Sequence, residues 1–209
     1  MLQVDDLKRL TIGPVNLRVS DGACLAVTGP SGAGKSLLLR AIADLDPNMG
    51  AARTQSAERA LVPAPLWRRH VALVPAESGW WGDSVHSHFR APEEARARLS
   101  EVALPEAAMD SDVARLSTGD RHRLALFRAL ENGPEVLLLD EPTSMLDRAS
   151  EAAVEALLKR EMDNGLSLVL VTHDADQPAR LADRLIWLEG GSLREIPRAE
   201  FAPAEGLPA

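Results

Sequence analysis

The sequence lacks several residue types that would point to particular classes of protein. Tyrosine is absent, aromatic residues make up 3% of the 209 residues, and Cys24 is the only cysteine. A single cysteine excludes an internal disulfide and a cysteine-cluster metal site, and the apolar neighbours Ala23 and Leu25 predict a buried strand position for it. No aromatic residue precedes Trp67, so the first third of the chain offers no ring on which a flat ligand could stack.

Long apolar runs and a basic surplus are also missing. A membrane-spanning helix needs about 20 consecutive apolar residues, and the most apolar runs, residues 136–139 and 166–171, are far shorter. The chain starts with the acidic residues Asp5 and Asp6 where a secretory signal is basic, so we expect a cytoplasmic protein. The formal net charge of −8 argues against a nucleic-acid partner, which normally requires a concentrated basic face.

Short apolar segments alternate with helical patterns along the chain. Five segments are typical of buried strands: residues 25–28, 71–74, 136–139, 168–172 and 185–188. Helices are predicted after Gly34, from Ser117 and over residues 149–162. This alternation predicts a single α/β domain with a largely parallel sheet.

The first motif is a glycine-rich segment between a predicted strand and a predicted helix. It consists of Gly29, Pro30, Ser31, Gly32, Ala33, Gly34, Lys35 and Ser36. These residues match the P-loop pattern, in which backbone N–H groups and a helix N-terminus surround phosphates. We expect Lys35 to reach the β- and γ-phosphates of a nucleotide and Ser36 to bind Mg²⁺. A glycine-rich turn without a ligand is the much weaker alternative, because strand and helix flank the motif as phosphate binding requires.

Two carboxylates, Asp140 and Glu141, follow the apolar segment of residues 136–139. They stand at the carboxyl end of a predicted strand, where ligands bind in open α/β sheets. Asp140 is placed to hold a Mg²⁺-bound water and Glu141 to polarise an attacking water as general base. The segment alone also fits a strand that ends in solvated acids, but together with the P-loop it indicates a nucleoside triphosphatase.

Three further segments resemble motifs of the ATP-binding cassette family, in the family's order and across nearly the whole chain. The first resembles the signature LSGGQ, with Thr for one Gly and Asp for Gln, and its candidate residues are Ser117, Thr118, Gly119 and Asp120. Asp147 stands at the spacing of the family's D-loop, and His173 follows a strand as the family's switch histidine does. Taken singly, Ser117 and Asp147 also fit ordinary helix caps, and a lone histidine is more often structural or exposed.

The resemblance implies a fold, cofactors and partners. It implies a RecA-like P-loop core with a mainly parallel sheet, an antiparallel edge and a short helical insertion. It also implies binding of ATP and Mg²⁺, an ATP-dependent homodimer, and a separate transmembrane permease that holds the subunit on the inner face of the membrane. In that dimer the signature would cap the γ-phosphate of the opposite subunit, Asp147 would communicate across the interface and His173 would contact γ-phosphate.

The chain departs from the family at the position of its Q-loop. The family has a Gln there that senses Mg²⁺ and the attacking water, whereas this chain has Ala76 followed by Glu77. Alanine has neither a donor nor an acceptor. Either Glu77 substitutes for the Gln or water completes the Mg²⁺ shell, and we expect slow ATP turnover in both cases.

The adenine platform of the family is also missing. The family stacks adenine on an aromatic ring that precedes the P-loop, and here only aliphatic contact is available there, from Leu7, Leu10 or Ile12. Stacking of a base on an aromatic ring is worth about 1–3 kcal/mol in nucleic-acid sites. We therefore expect weak selectivity for adenine and better competition by GTP.

The segment of residues 77–115 is predicted to be a small helical subdomain, with a helix around residues 93–102, between core segments 1–76 and 116–196. It carries Trp80 and Trp81 beside the altered Q-loop, where the permease docks in the family. A tryptophan pair suits an interface, although closing the core of a small insertion explains it equally well. Residues 197–209 are predicted to form a tail that trails over the surface.

The function predicted from these motifs is ATP hydrolysis that powers a separate transmembrane subunit. Two alternatives remain: a binding or regulatory module with little hydrolysis, and a cassette ATPase that serves a complex other than a transporter. Residues 82–85 also resemble a segment of a bacterial subgroup assigned to metal export, particularly of iron.

Overall fold

The structure, a computed structural model, describes residues 1–201. The larger of its two sheets has the order β5-β6-β7-β3-β8-β9, in which the first five strands are parallel and β9 is antiparallel to β8. Its strands are β3 (Cys24–Thr28), β5 (Val71–Val74), β6 (Val136–Asp140), β7 (Ser167–Val171), β8 (Arg184–Glu189) and β9 (Ser192–Ile196). All residues of β6 and β7 are buried, as is typical of central parallel strands covered on both faces. The sequence predicted all five parallel strands, and each end is confirmed to within one residue.

The smaller sheet is antiparallel and has the order β2-β1-β4. Its strands are β1 (Leu2–Arg9), β2 (Ile12–Val19) and β4 (Met49–Arg53). Buried and exposed residues alternate along β2, because one face of this sheet covers the core and the other faces solvent. The antiparallel edge that the resemblance implied is confirmed by this sheet and by β9.

Two apolar cores lie on opposite faces of the larger sheet. Alternate residues of β3 divide between them. Leu25 and Val27 join the core shared with β1, β2 and the helix of residues 35–42, whereas Cys24 and Ala26 join the core shared with the helices of residues 118–130 and 148–163. Cys24 is 1% exposed, which confirms the buried strand position predicted for it. The P-loop helix is thus packed on one face of the sheet and the signature helix on the other.

Six α-helices connect the strands, and none in the described part of the chain is long and apolar enough to cross a membrane. They are α1 (Lys35–Ile42), α2 (Ala64–His70), α3 (Pro92–Arg98), α4 (Thr118–Leu130), α5 (Arg148–Asp163) and α6 (Gln177–Leu181). The N-cap predicted at Ser117 is confirmed as half of a capping box: its Oγ accepts from Asp120 N at 3.1 Å, and Asp120 Oδ2 accepts from Ser117 N at 3.2 Å. Asp147 caps α5 by accepting from Ser150 N at 2.9 Å.

The segment between β5 and α4 is helical but mostly not α-helical. The predicted helix of residues 93–102 is α3 followed by a 3₁₀ turn, Leu99–Val102, and further 3₁₀ turns cover His86–His88, Glu106–Asp110 and Val113–Arg115. Its apolar side chains join the α4–α5 core. The exact division of the chain at residues 76 and 116 remains a prediction.

The prediction of a trailing tail from Pro197 is wrong for residue 201. Residues 198–200 form a 3₁₀ turn, and Phe201 is 7% exposed and packed in the same core as Ile196 and Leu185. Burial of one phenylalanine ring is worth about 1.5–3 kcal/mol, enough to hold a short turn against the sheet. Residues 202–209, the rest of the predicted tail, lie outside the described residues.

Candidate functional site

The loop of residues 29–34 leaves β3 and ends where α1 begins. Three of its glycines have positive φ, namely Gly29 at 145°, Gly32 at 78° and Gly34 at 99°, a conformation that side chains other than glycine's rarely adopt. A Cβ at Gly29 would stand 2.2 Å from the carbonyl oxygen of Leu188, so the loop lies directly against β8. Among residues 31–34, only Ala33 donates its N–H to a backbone oxygen of the described chain. The remaining amides of the loop are free to meet an anion.

Lys35 is folded back over this loop. Its Nζ donates to the carbonyl oxygens of Gly29 at 2.8 Å and Pro30 at 3.0 Å, and the residue is only 6% exposed. Burial lowers the pKa of Lys35, and the carboxylates of Glu141 and Asp140 partly oppose this. A buried ammonium beside free loop amides supplies donors and positive charge to this side of the site, which suits a polyphosphate.

Asp140 ends β6, and Glu141 follows in a left-handed conformation with φ of 53°. Glu141 Oε2 accepts from the backbone N–H of His173 at 3.2 Å, and Nε2 of His173 lies 3.5 Å from Oε1. Oε1 is buried and has no hydrogen-bond partner in the described chain. Burial raises the pKa of Glu141, against the opposing effects of the His173 N–H and ring. A buried carboxylate oxygen without a donor is costly, and a bound water would supply the missing hydrogen bond.

The predicted P-loop, carboxylates and histidine meet at one cavity of about 370 Å³. Its lining includes Ser31, Gly32, Gly34, Lys35, Ser36, Ala76, Asp140, Glu141 and His173. The residues fit Mg²⁺ as well as phosphate, because a serine hydroxyl and an aspartate are hard oxygen donors that leave positions for water and phosphate oxygens. Within residues 1–201 there is no cluster of three or more His, Cys, Asp or Glu side chains suited to a metal, so a cation here would depend on those additional oxygens.

The signature segment does not line this cavity. Ser117 is exposed, and Thr118 lines a separate cavity of about 470 Å³ together with Ala76, Glu77 and His122. The capping box uses the lone pair of the Ser117 hydroxyl as an acceptor, which leaves its O–H free to donate elsewhere. This surface is therefore available to a ligand that its own P-loop does not hold.

The sequence matches the model of the ABC transporter family over residues 12–144, more than half of the chain. The chain belongs to this family. The match covers the P-loop, the predicted signature segment and the carboxylates at the end of β6, which lie on different elements of the fold.

Two curated relatives are aliphatic sulfonates import ATP-binding proteins SsuB. The one from Burkholderia pseudomallei is 34% identical over 188 residues, which cover 89% of this chain and 57% of that protein. The one from Burkholderia thailandensis is 33% identical over 206 residues, which cover 94% of this chain and 61% of that protein. This ABC chain thus spans less than two thirds of the length of these relatives. Their import role neither supports nor tests the resemblance of residues 82–85 to a metal-export segment, which stays a prediction.

Solved structures of ABC cassettes have the same fold. The cassette MJ0796, described as a dimeric post-hydrolysis state bound to ADP and Pi, superposes with a TM-score of 0.82 at 26% identity and covers 95% of this chain and 99% of its own. An ATP-binding subunit of an ABC transporter superposes with a TM-score of 0.82 at 24% identity, over 93% of this chain and 90% of its own. The fold class predicted from the sequence is confirmed.

The predicted signature segment lies close to the predicted D-loop of the same chain. A Cβ at Gly119 would lie 3.1 Å from both the Met145 carbonyl oxygen and Leu146 Cδ2, a contact too tight for an unadjusted side chain. Gly119 therefore allows a close approach of the two segments and does not serve a special backbone conformation. Asp147, the predicted D-loop residue, is exposed and caps α5 two residues after Met145.

The altered Q-loop divides between the two cavities. Ala76 lines both of them, whereas Glu77 lines only the cavity beside the signature. The residue that faces the phosphate site is thus the one without a polar group.

Of the three aliphatic candidates for an adenine contact, Leu7 and Ile12 are 0% and 2% exposed, and only Leu10 projects into solvent, at 76% exposed. Ile12 Cδ1 lies 2.8 Å from where a Cβ of Gly34 would be, which places this hairpin against the P-loop.

The tryptophan pair has two different environments. Trp80 is half-buried against the α4–α5 core, whereas Trp81 is 74% exposed. The guanidinium of Arg128 lies 4.6 Å from the centroid of Trp80 and 4.8 Å from that of Trp81. His88 Nε2 accepts from the backbone N–H groups of Trp81 and Gly82, both at 3.1 Å. The core explanation thus fits Trp80, and the interface explanation fits Trp81.

Arg123 connects the signature segment to α5 and is not among the residues predicted from the sequence. It donates hydrogen bonds to Gly119, Asp120 and Ser150, which belong to two helices and lie 3 to 27 positions away. The only local signal was an Arg three positions after Asp120 on a predicted helix, the spacing of an intrahelical ion pair.

Proposed function

We propose that this chain binds ATP with Mg²⁺ and hydrolyses it to ADP and phosphate, and that it thereby drives a separate transmembrane permease. The observation that carries the proposal is the unbonded, buried Oε1 of Glu141, which lies at the same cavity as Lys35 and the P-loop amides. A carboxylate in this state beside a phosphate site is placed to accept a proton from water. Membership of the ABC transporter family supports the same activity.

Each residue of the cavity has a distinct part in this chemistry. The free amides of Ser31, Gly32 and Gly34 and the Lys35 ammonium hold the phosphates, and Ser36 and Asp140 would hold Mg²⁺, which supplies charge neutralisation when bound. Glu141 orients the attacking water and takes its proton. His173, whose backbone N–H donates to Glu141, fixes this carboxylate and presents its exposed ring toward the γ-phosphate.

The active form in this proposal is a homodimer that forms on ATP. The signature of each chain lies outside its own phosphate cavity, with the Ser117 O–H free to donate. The N-terminus of α4 adds the positive end of a helix dipole to this hydroxyl. A second copy that brings Ser117, Thr118 and Gly119 to the γ-phosphate would complete the site, and the dimeric MJ0796 cassette is similar in fold.

The permease in this proposal docks on the groove beside Trp81. This groove has a volume of about 430 Å³, and its lining includes Trp81, Arg40, Arg68, Arg90 and Arg128. Arg128 has one buried guanidinium nitrogen, Nη1, without a partner in the described chain. An exposed indole among arginines suits a short partner segment with apolar and acidic side chains. Docking there would place the chain on the cytoplasmic face of the membrane.

The second candidate function is an ATP-gated module with little hydrolysis. It is favoured by Ala76, which lines the phosphate cavity with a methyl group and can position neither Mg²⁺ nor water. The two candidates make the same prediction for ATP binding and opposite predictions for turnover.

Phosphate release by the wild type and by Glu141→Gln separates the two candidates. A general base contributes roughly 10²–10⁴-fold to rate, so we expect Glu141→Gln to lose at least about 100-fold in kcat and to accumulate as an ATP-bound dimer in size-exclusion chromatography. Glu106→Gln changes an exposed glutamate in the helical segment and is the matched control. Wild-type turnover no faster than that of Glu141→Gln would reject hydrolysis and favour the module.

A further inference from the structure

Arg123 is a buried cation whose hydrogen-bond acceptors lie on three separate segments of the chain. Its side chain is 9% exposed and lies 2.6 Å from its one carboxylate partner, Asp120 Oδ1. Nε donates to the Gly119 carbonyl at 3.3 Å, and Nη1 donates to the carbonyls of Val102 and Ala103 at 2.9 Å each. The planar guanidinium holds these acceptors in a fixed arrangement, which a flexible ammonium would not do.

A single hydroxyl connects this guanidinium to the D-loop. Arg123 Nη1 donates to Ser150 Oγ at 2.9 Å, and Ser150 Oγ donates in turn to Asp147 Oδ2 at 3.0 Å. Asp147 Oδ1 also accepts from the backbone N–H of Ser150 at 2.9 Å. Ser150 is 5% exposed, so water has little access to replace this link. The Asp147 carboxylate is thus held by Ser150, and Arg123 of α4 holds the Ser150 hydroxyl in turn.

The same guanidinium reaches the signature on its other side. Asp120 Oδ1 accepts from Arg123, while Asp120 Oδ2 accepts from the backbone N–H of Ser117. A continuous path of hydrogen bonds therefore runs from Ser117 through Asp120, Arg123 and Ser150 to Asp147. Gly119 also approaches residues 145 and 146 closely beside this path, since a Cβ added to it would lie 3.1 Å from atoms of both.

Arg123 also binds the helical segment, through the carbonyl oxygens of Val102 and Ala103. Ala103, one of its acceptors, has a left-handed conformation with φ of 55° and ends the 3₁₀ turn Leu99–Val102. Ion pairs of Arg98 with Glu161 and of Arg160 with Glu101 attach the same turn to α5. A movement of the helical segment would thus displace the Arg123 side chain together with its acceptors.

We propose that Arg123 is a positioning residue that joins the signature, the D-loop and the end of the helical segment into one unit, with Ser150 as the relay to Asp147. The consequence is that a contact of Ser117 with a second subunit's nucleotide is transmitted within the same chain to Asp147, six positions beyond Glu141. This inference rests on the proposed ATP-dependent dimer. Arg123 itself touches neither nucleotide nor water in this scheme.

The variant Ser150→Ala tests the relay, because it removes one link and leaves the other contacts of Arg123 in place. Ser167→Ala is the matched control: Ser167 is 0% exposed and its hydroxyl donates to the Ser20 carbonyl, far from the path. Loss of one hydrogen bond to a charged group corresponds to about tenfold in an equilibrium or a rate. We expect Ser150→Ala to lower kcat about tenfold, with nucleotide affinity of the monomer unchanged and a melting temperature like that of the control. Ser150→Thr, which keeps the hydroxyl, should recover most of the rate.

Amide hydrogen exchange tests the link between Arg123 and Asp147 without relying on ATP turnover. In Ser150→Ala we expect faster exchange of the amides of residues 143–147 than in Ser167→Ala, measured without nucleotide. Equal exchange and equal kcat in the two variants would overturn the role of Arg123 and leave the ATPase proposal intact. If the wild-type protein showed no turnover but Ser150→Ala still exchanged faster than Ser167→Ala, the result would support the hydrogen-bond path and reject the ATPase proposal. Failure of Ser150→Thr to recover the rate would assign the effect to packing and also overturn the relay.

Discussion

At the scale of single residues, the phosphate cavity holds charges that burial disfavours. Burial lowers the pKa of Lys35 and raises that of Glu141, so each group is held toward its neutral form. The carboxylates of Glu141 and Asp140 partly oppose the shift of Lys35, and His173 is the main group that opposes the shift of Glu141. Removing one charge of such a set leaves the others unpaired, which is more costly than exposing a surface charge. A ligand with negative phosphates and a cation completes the charge balance, and this favours binding before any chemistry occurs.

Leu10 is the residue that we expect to meet the nucleotide base. It is 76% exposed at the tip of the β1–β2 hairpin, where an aromatic ring could stack on adenine. We expect Leu10→Tyr to tighten ATP binding by up to about 1–3 kcal/mol, or roughly 5- to 150-fold, with a smaller gain for GTP. Isothermal titration with both nucleotides measures this.

Leu61→Tyr supplies the control for this experiment, because Leu61 is similarly exposed, at 78%, but belongs to the turn Arg59–Leu61. Equal affinities of the two variants would show that Leu10 does not face the base. A wild type that binds ATP far more tightly than GTP would contradict the weak selectivity expected here.

At the scale of secondary-structure elements, the sequence predicted those that depend on local patterns. The P-loop and the strand ending at Asp140 are continuous in sequence and were placed correctly. Strands β1, β2 and β4 were not assigned, because β1 mixes apolar and charged residues and its register is interrupted by shifts between Val4 and Leu7. The role of Arg123 could not be predicted, since its acceptors on Ala103 and Ser150 are brought together only by the folded chain.

The thiol of Cys24 can be used to test whether strand β3 is buried. Burial, reinforced by the Asp183 carboxylate, raises the pKa of this thiol to about 12, so the folded strand keeps it protonated at neutral pH. The raised pKa contributes its full stabilisation below pH 8.5, roughly the pKa of the thiol in the unfolded chain. This contribution is lost as the pH rises from there through the pKa of the folded protein. We expect iodoacetamide at pH 8.5 to label Cys24 only in step with unfolding by urea, as measured by intact mass. Rapid labelling of the native protein would contradict the burial of β3.

At the scale of the whole molecule, nucleotide binding and folding are linked. A ligand at about 100 times its Kd adds roughly 2.7 kcal/mol to the free energy of unfolding, which for a domain of this size raises the melting temperature by about 5–10 °C. We expect this shift with MgATP in Glu141→Gln and a smaller one when EDTA removes Mg²⁺. Lys35→Ala, added to Glu141→Gln, should abolish the shift. The exposed Lys159→Ala should preserve it, and identical shifts in both lysine variants would place the nucleotide elsewhere.

The groove beside Trp81 is optically distinctive, because the guanidinium of Arg128 lies over the rings of both Trp80 and Trp81. The chain has four tryptophans, and Trp67 is fully buried in the opposite core. Only Trp81 presents most of its indole to water, so its emission responds most to a change in polarity at the groove. The chain therefore contains an intrinsic fluorophore at the surface proposed for the permease, and association can be followed by emission wavelength without an added label.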